Sequence, residues 1–213
     1  MKDRKQIRLE GYDYSLAGWY FVTFCTNTED GALSTIDHDR AVLNPFGEIV
    51  DQNWHDIPNH LPLVQIDEHV VMPNHFHGIV ILLNHQGKIP EVGLHFAWHH
   101  KDLKEGVEWR RHVASRHIKL LPKVLGGLKS VSSREIRKSG WQDFKWQRSY
   151  HDKIIRTEQE LANVRQYIRT NPARWQEDPD CFPTSSKQQL LNHYEAILKG
   201  SFTNSTSNIQ NSK

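Results

Sequence analysis

The run Trp19-Tyr20-Phe21-Val22-Thr23-Phe24-Cys25-Thr26 follows Gly18 and is aromatic and β-branched, with apolar side chains at both its odd and its even positions. Successive side chains of a strand point to opposite faces, so this pattern predicts a central strand covered on both sides. Short extended pieces near 31–37 and 41–44 follow, then Pro45-Phe46-Gly47 punctuates the chain. Ile49, Val50, Trp54 and Ile57 recur at helical spacing up to Pro58, which predicts one amphipathic helix. Residues 65–72 and 75–83 are two apolar extended runs separated by Pro73-Asn74. Proline cannot donate to a ladder, so that dipeptide predicts a tight turn or a bulge.

Beyond His85 the periodicity is lost until about Pro122, across a stretch with Gly, Pro, many charges and five further histidines, His95, His99, His100, His112 and His117. We read residues 86–124 as an irregular insertion and residues 124–137 as a helix with Leu125, Leu128 and Ile136 on its apolar stripe. Thr157-Glu158-Gln159-Glu160 is a capping-box pattern ahead of Leu161, Val164 and Ile168, and it predicts a helix over 157–170 that ends before Pro172. The Ser-, Asn- and Thr-rich residues 201–213 read as a disordered tail.

Composition fits one globular domain over 1–200: 213 residues, 37% hydrophobic and 24% charged, with no internal repeat. No run approaches the roughly 18 apolar residues of a spanning helix, and Met1-Lys2-Asp3-Arg4-Lys5 leads into no signal-peptide core. The expectation is a cytoplasmic protein without a membrane partner. Cys25 and Cys181 match neither a disulfide framework nor a zinc-finger spacing.

The net charge of +2 averages two opposite regions. Residues 1–100 carry 6 basic and 13 acidic side chains, residues 101–176 carry 18 and 8. A basic region that also holds Trp109, Trp141, Phe144, Trp146 and Trp175 suits a polyanion, since cations neutralise phosphates and aromatic faces stack on unpaired bases. It equally describes a solvated basic face over core tryptophans.

In His75-Phe76-His77 the two imidazoles project from one face of a strand, where they can chelate one cation. Such a pair fits a zinc hydrolase, a divalent-metal nuclease or two surface histidines. On the predicted 157–170 helix, Tyr167 and Asn171 lie four residues apart, on one face beside the Val164/Ile168 stripe. That pair reads either as functional or as a core tyrosine followed by a helix-terminating asparagine.

Three ordered blocks carry a resemblance: Val70-Val71-Met72-Pro73-Asn74-His75-Phe76-His77-Gly78-Ile79-Val80, then Trp146-Gln147-Arg148-Ser149-Tyr150, then Tyr167-Ile168-Arg169-Thr170-Asn171-Pro172. Together they resemble the REP-associated tyrosine transposases, of the single-tyrosine superfamily whose nucleases carry a His-hydrophobic-His motif. The likeness covers about 7–84 and 125–180, and the 86–124 segment and the tail lie outside it. It implies an α+β, ferredoxin-like antiparallel sheet with helices packed on one face. It further implies that His75, His77 and Asn171 bind Mg²⁺ or Mn²⁺ and that Tyr167 is the nucleophile. The activity implied is a single-stranded DNA endonuclease and strand-transferase acting at hairpin-forming repeats through a 5′-phosphotyrosine, as a monomer rather than a homodimer. Lys129, Arg134, Arg137, Lys138, Lys145 and Arg148 are the expected phosphate contacts to single-stranded or hairpin DNA. The competing reading is a hairpin-DNA-binding regulatory protein on the same fold that does not transpose. Tyr150, near Arg148, His151 and Asp152, is the rival phenol, which the motif match assigns to a packed structural segment.

Overall fold

The computed structural model describes residues 16–27, 31–84, 86–92, 120–179 and 186–201. The histidines at 95–117, Trp109, Cys181 and nearly all of the predicted insertion and tail lie outside the described residues.

Four strands form the main sheet: β1 (Gly18–Cys25), β4 (Val64–Val71), β5 (His75–Leu82) and β6 (His151–Ile155). They lie in the order β4-β5-β1-β6 with every neighbouring pair antiparallel. The helix α1 (Pro45–His55) connects β1 to β4, and α3 (Leu120–Lys138) lies between β5 and β6. This is the βαββαβ order of a ferredoxin-like sheet, as the resemblance implies. A short hairpin of β2 (Ser34–Asp37) and β3 (Arg40–Leu43) precedes α1, its turn made by His38 and Asp39 at positive φ of 46° and 60°.

β1 is covered on both sides. Tyr20, Val22 and Phe24 join Phe76, Val80, Trp54, Leu125 and Trp146 in one core, and Trp19 and Phe21 join Ile79, Ile81, Leu161, Val164 and Tyr167 in a second. The expectation of helices on one face is therefore corrected: α1 and α3 cover the first face, while α4 (Glu158–Thr170) and α5 (Lys187–Lys199) cover the second. The cause lies in β1 and β5, the central pair, which carry apolar side chains on both faces and would leave one of those faces in water under a single helical layer.

Pro45 and Pro58 both begin helices rather than ending one. Pro45 occupies the first turn of α1, where its missing N–H is not needed, and Asn44 caps that end by accepting from the backbone N–H groups of Phe46 and Gly47. The chain breaks at Asp56 and restarts as the one-turn α2 (Ile57–His60), with Pro58 in its first turn. Pro73-Asn74 forms the β4–β5 turn, closed by the Met72 N–H donating to the His75 carbonyl at 2.9 Å. No helix among the described residues is long and apolar enough to cross a membrane.

Candidate metal and tyrosine site

β1 and β5 pair so that Thr23 faces His77 and Cys25 faces His75. Both imidazoles emerge on the α4 side of the sheet, fully buried, with ring centres 4.5 Å apart. On α4 the stripe Leu161, Val164, Ile168 packs onto this face and brings Tyr167 with it, edge-on to Phe21 and His77 at 6.0 and 5.3 Å. The Thr157 hydroxyl caps the helix by accepting from the Glu160 N–H. After Asn171 the chain tightens into a 3₁₀ turn, Pro172–Glu177, that returns Asp178 beneath Tyr167.

Asp178 is the hub, and nothing in its local sequence announces it. Its Oδ2 accepts from the Tyr167 hydroxyl at 2.7 Å and from the Asn171 amide, and lies 3.5 Å from His77 Nε2 and 3.8 Å from His75 Nε2. His193 on α5, also missed by the sequence reading, places Nε2 3.0 Å from the Tyr167 oxygen. Its signal was available: the Ser186–Gln189 capping box and the Leu190, Tyr194, Ile197 spacing mark a helix that carries His193 inward.

Electrostatics favour neutral His75 and His193 imidazoles beside one carboxylate. Burial, helped by the adjacent His77 ring, drives His75 down to about 3, and burial drives His193 down to about 4. Burial alone would raise Asp178, but the facing imidazoles and the Asn171 amide outweigh it and hold the carboxyl well below its ordinary range.

The donor set fits a divalent cation. His75 Nδ1 lies 2.9 Å from the Asn74 side-chain oxygen, an acceptor, so Nδ1 carries the proton and Nε2 keeps its lone pair. That Nε2 is buried with no hydrogen-bond partner, and so is Asn171 Oδ1. His75, His77 and Asp178 offer ligand atoms that all fall within 4.8 Å of one another. Two orphaned lone-pair donors beside a carboxylate are costly without a cation and natural with one.

The expected DNA contacts gather elsewhere. Lys129, Arg137, Lys145 and Arg148 line a cleft of about 500 Å³ along α3, with Trp146 and Tyr150 in its wall. Arg134 and Lys138 are exposed on α3 and do not line it. Tyr150 packs against the α1/α3 core, on the sheet face opposite the imidazoles. The Lys129 ammonium donates to the carbonyls of Gln147, Arg148 and Ser149, which holds the segment forming the cleft wall, and burial draws its pKa down to about 8. That segment pairs with Cys25 and Thr26, so the cleft opens at the same end of the sheet as His75.

No protein-family model matches the chain. An uncharacterized protein of Haemophilus influenzae is 30% identical over 176 residues, 82% of this chain and 91% of the relative. The solved structure of a REP-associated tyrosine transposase bound to a REP hairpin is similar at a TM-score of 0.45 and 18% identity, over 79% of this chain and 74% of that one.

Proposed function

The chain belongs to one family with the Haemophilus influenzae protein, and we propose that it is a metal-dependent single-stranded DNA endonuclease and strand-transferase acting at hairpin-forming repeats, of the REP-associated tyrosine transposase kind. One observation carries the reading: a buried phenol, Tyr167, bonded to the same carboxylate that two imidazoles with inward-facing nitrogens surround.

His75, His77 and Asn171 would hold the Mg²⁺ or Mn²⁺ ion, with the Asp178 carboxylate beside them. Bound there, the cation offsets charge on the phosphoryl oxygens. Tyr167 Oη forms a bond to phosphorus, and the P–O3′ bond breaks, leaving a 5′-phosphotyrosine and a 3′-hydroxyl. A free tyrosine ionises near pH ~10, so the proton needs a receiver at neutral pH. His193 Nε2, 3.0 Å from the phenol oxygen, takes it, while Asp178 Oδ2 at 2.7 Å holds the phenol in place. The phosphotyrosine conserves the energy of the broken bond, so a second 3′-hydroxyl reverses the step and joins strands. The 3₁₀ turn covers the pocket, with the Trp175 ring stacked on His75 at 5.6 Å, and an entering strand displaces that turn or stacks on it.

The test incubates single-stranded oligonucleotides spanning hairpin-forming repeats with the full chain and Mn²⁺, and separates covalent products on a denaturing gel. A metal-dependent protein–DNA band that Tyr167→Phe abolishes, with hairpin affinity retained, is expected. Tight hairpin binding without any covalent product would give the protein over to the non-transposing regulatory reading.

A further inference from the structure

We infer that the opposite face of the sheet carries a second metal site, built from Asp51 and His55 of α1 and His69 of β4, that takes a transition-metal ion of the Zn²⁺, Co²⁺ or Ni²⁺ type. It rests on its own residues and not on the proposed nuclease. His69 is paired with Gly78 across the β4–β5 ladder and so shares the face on which Gly78 meets the Trp54 ring, the α1 side. His75 and His77 lie on the other side of the same sheet.

Asp51 and His55 stand four residues apart on one helical face, and His69 reaches them from the edge strand. Two imidazole nitrogens converge on one carboxylate: His69 Nε2 is 2.7 Å from Asp51 Oδ1, and His55 Nδ1 is 3.3 Å from Oδ2. The two rings meet edge to face at 5.0 Å. Ligand atoms from all three residues fall within 4.8 Å of one another, so closing to the roughly 3.3 Å spacing of a tetrahedral ion needs only side-chain adjustment.

The partners are already held. His69 is wedged against Trp54 at 5.7 Å and stacked on Phe76 at 5.8 Å, with only 18% of its side chain exposed. His55 is 58% exposed and closes the site from solvent, leaving a fourth position to water. Two imidazoles and a single carboxylate suit Zn²⁺, Co²⁺ or Ni²⁺, whereas Mg²⁺ prefers oxygen ligands and resists losing its water. On binding, His69 Nε2 and His55 Nδ1 present lone pairs with their protons on the far nitrogens, and His55 Nδ1 gives up its 2.9 Å contact with the Asp51 backbone carbonyl. The ion then ties α1 to β4.

The test counts ions. The tag-free full chain is titrated with Co²⁺ and followed by its visible ligand-field bands, alongside His55→Ala and Asp51→Asn. His55 is exposed, so its replacement leaves the core intact, which far-ultraviolet circular dichroism verifies. Each variant binding one equivalent fewer than the wild-type chain is expected, as is a rise in Tm with added Zn²⁺ that is smaller in His55→Ala than in wild type. Equal stoichiometry in wild type and His55→Ala would overturn the site. The difference in count is independent of whether His75 and His77 also bind Co²⁺, so failure here leaves the nuclease reading untouched, and failure of that reading leaves this one.

Discussion

The Arg165 guanidinium forks onto the Asp67 carboxylate, Nε to Oδ1 at 3.0 Å and an Nη to Oδ2 at 2.6 Å, and so ties the tyrosine-bearing helix α4 to the edge strand β4. Burial would raise the Asp67 carboxyl, but the Arg165 hydrogen bonds outweigh it and lower its pKa. The folded value therefore lies below the unfolded one of about 3.9. The stabilisation is complete above that unfolded value and is lost as pH falls through the lowered folded value. Arg165 is one-third exposed, which limits the pair to about 1 kcal/mol. Urea unfolding of Arg165→Met should show that loss at pH 7 and a shrinking difference from wild type as the pH drops below 4. A constant difference across this range would mean that Arg165 acts by packing on Trp19, whose ring centre lies 5.7 Å from its guanidinium carbon.

Gly47 and Gly126 predict opposite signs for one substitution. A Cβ at Gly47 would sit 2.1 Å from the Leu33 carbonyl oxygen, a backbone atom that cannot swing aside, because the β2–β3 hairpin leans on the first turn of α1 there. Gly47→Ala should cost about 1–3 kcal/mol by overpacking. At Gly126, inside α3, nothing lies within 4 Å of the added carbon. Gly126→Ala should gain about 0.5–1 kcal/mol through helix propensity. Thermal unfolding of both variants reads the two signs directly.

The cleft along α3 separates two uses of a lysine. Lys145 and Arg148 are exposed cleft residues, so alanine at either should weaken hairpin DNA binding uniformly over sequences and flatten the salt dependence by about 0.7–0.9 per charge. Lys129 donates to three backbone carbonyls instead. Lys129→Ala should lower the unfolding midpoint by loosening residues 147–149. Fluorescence anisotropy of a labelled hairpin across a salt series distinguishes the two, and an unchanged slope for Lys145→Ala and Arg148→Ala would move the DNA path off this cleft.

Strand β1 and helix α4 were legible because each repeats an apolar period over several residues, and period is what burial imprints on a chain. The strand β6 was not: Asp152 and Lys153 interrupt a five-residue segment whose burial comes from pairing with β1 at the sheet edge. The second helical layer also went unread, since it depends on where α5 docks rather than on α5 itself. At the site, His75, His77, Tyr167 and Asn171 stood out by type and spacing within single elements. Asp178 has no such spacing, because the 3₁₀ turn after Pro172 is what brings it under Tyr167. A carboxylate among the neighbouring Glu177 and Asp180 is indistinguishable from a solvated one until the backbone path is known.

Thr23 offers the most direct test of how the sheet prepares its imidazoles. Its hydroxyl lies 2.7 Å from His77 Nδ1, directly across the β1–β5 ladder, and both residues are buried. With the proton on Nδ1 and donated to Thr23 Oγ1, Nε2 keeps a lone pair directed toward Asp178, the tautomer a cation needs. Thr23→Val keeps the shape and removes the oxygen, which frees the ring to take the other tautomer. If His77 is a ligand, apparent Mn²⁺ affinity in the covalent-product assay should fall about 10–100-fold, with kcat at saturating Mn²⁺ falling much less. Thr23→Ser restores the oxygen and should restore the affinity, whereas a loss from packing alone would persist in the serine variant. Excess chelator should abolish product in all three proteins, and a Mn²⁺ dependence that Thr23→Val leaves unchanged would remove His77 from the ligand set.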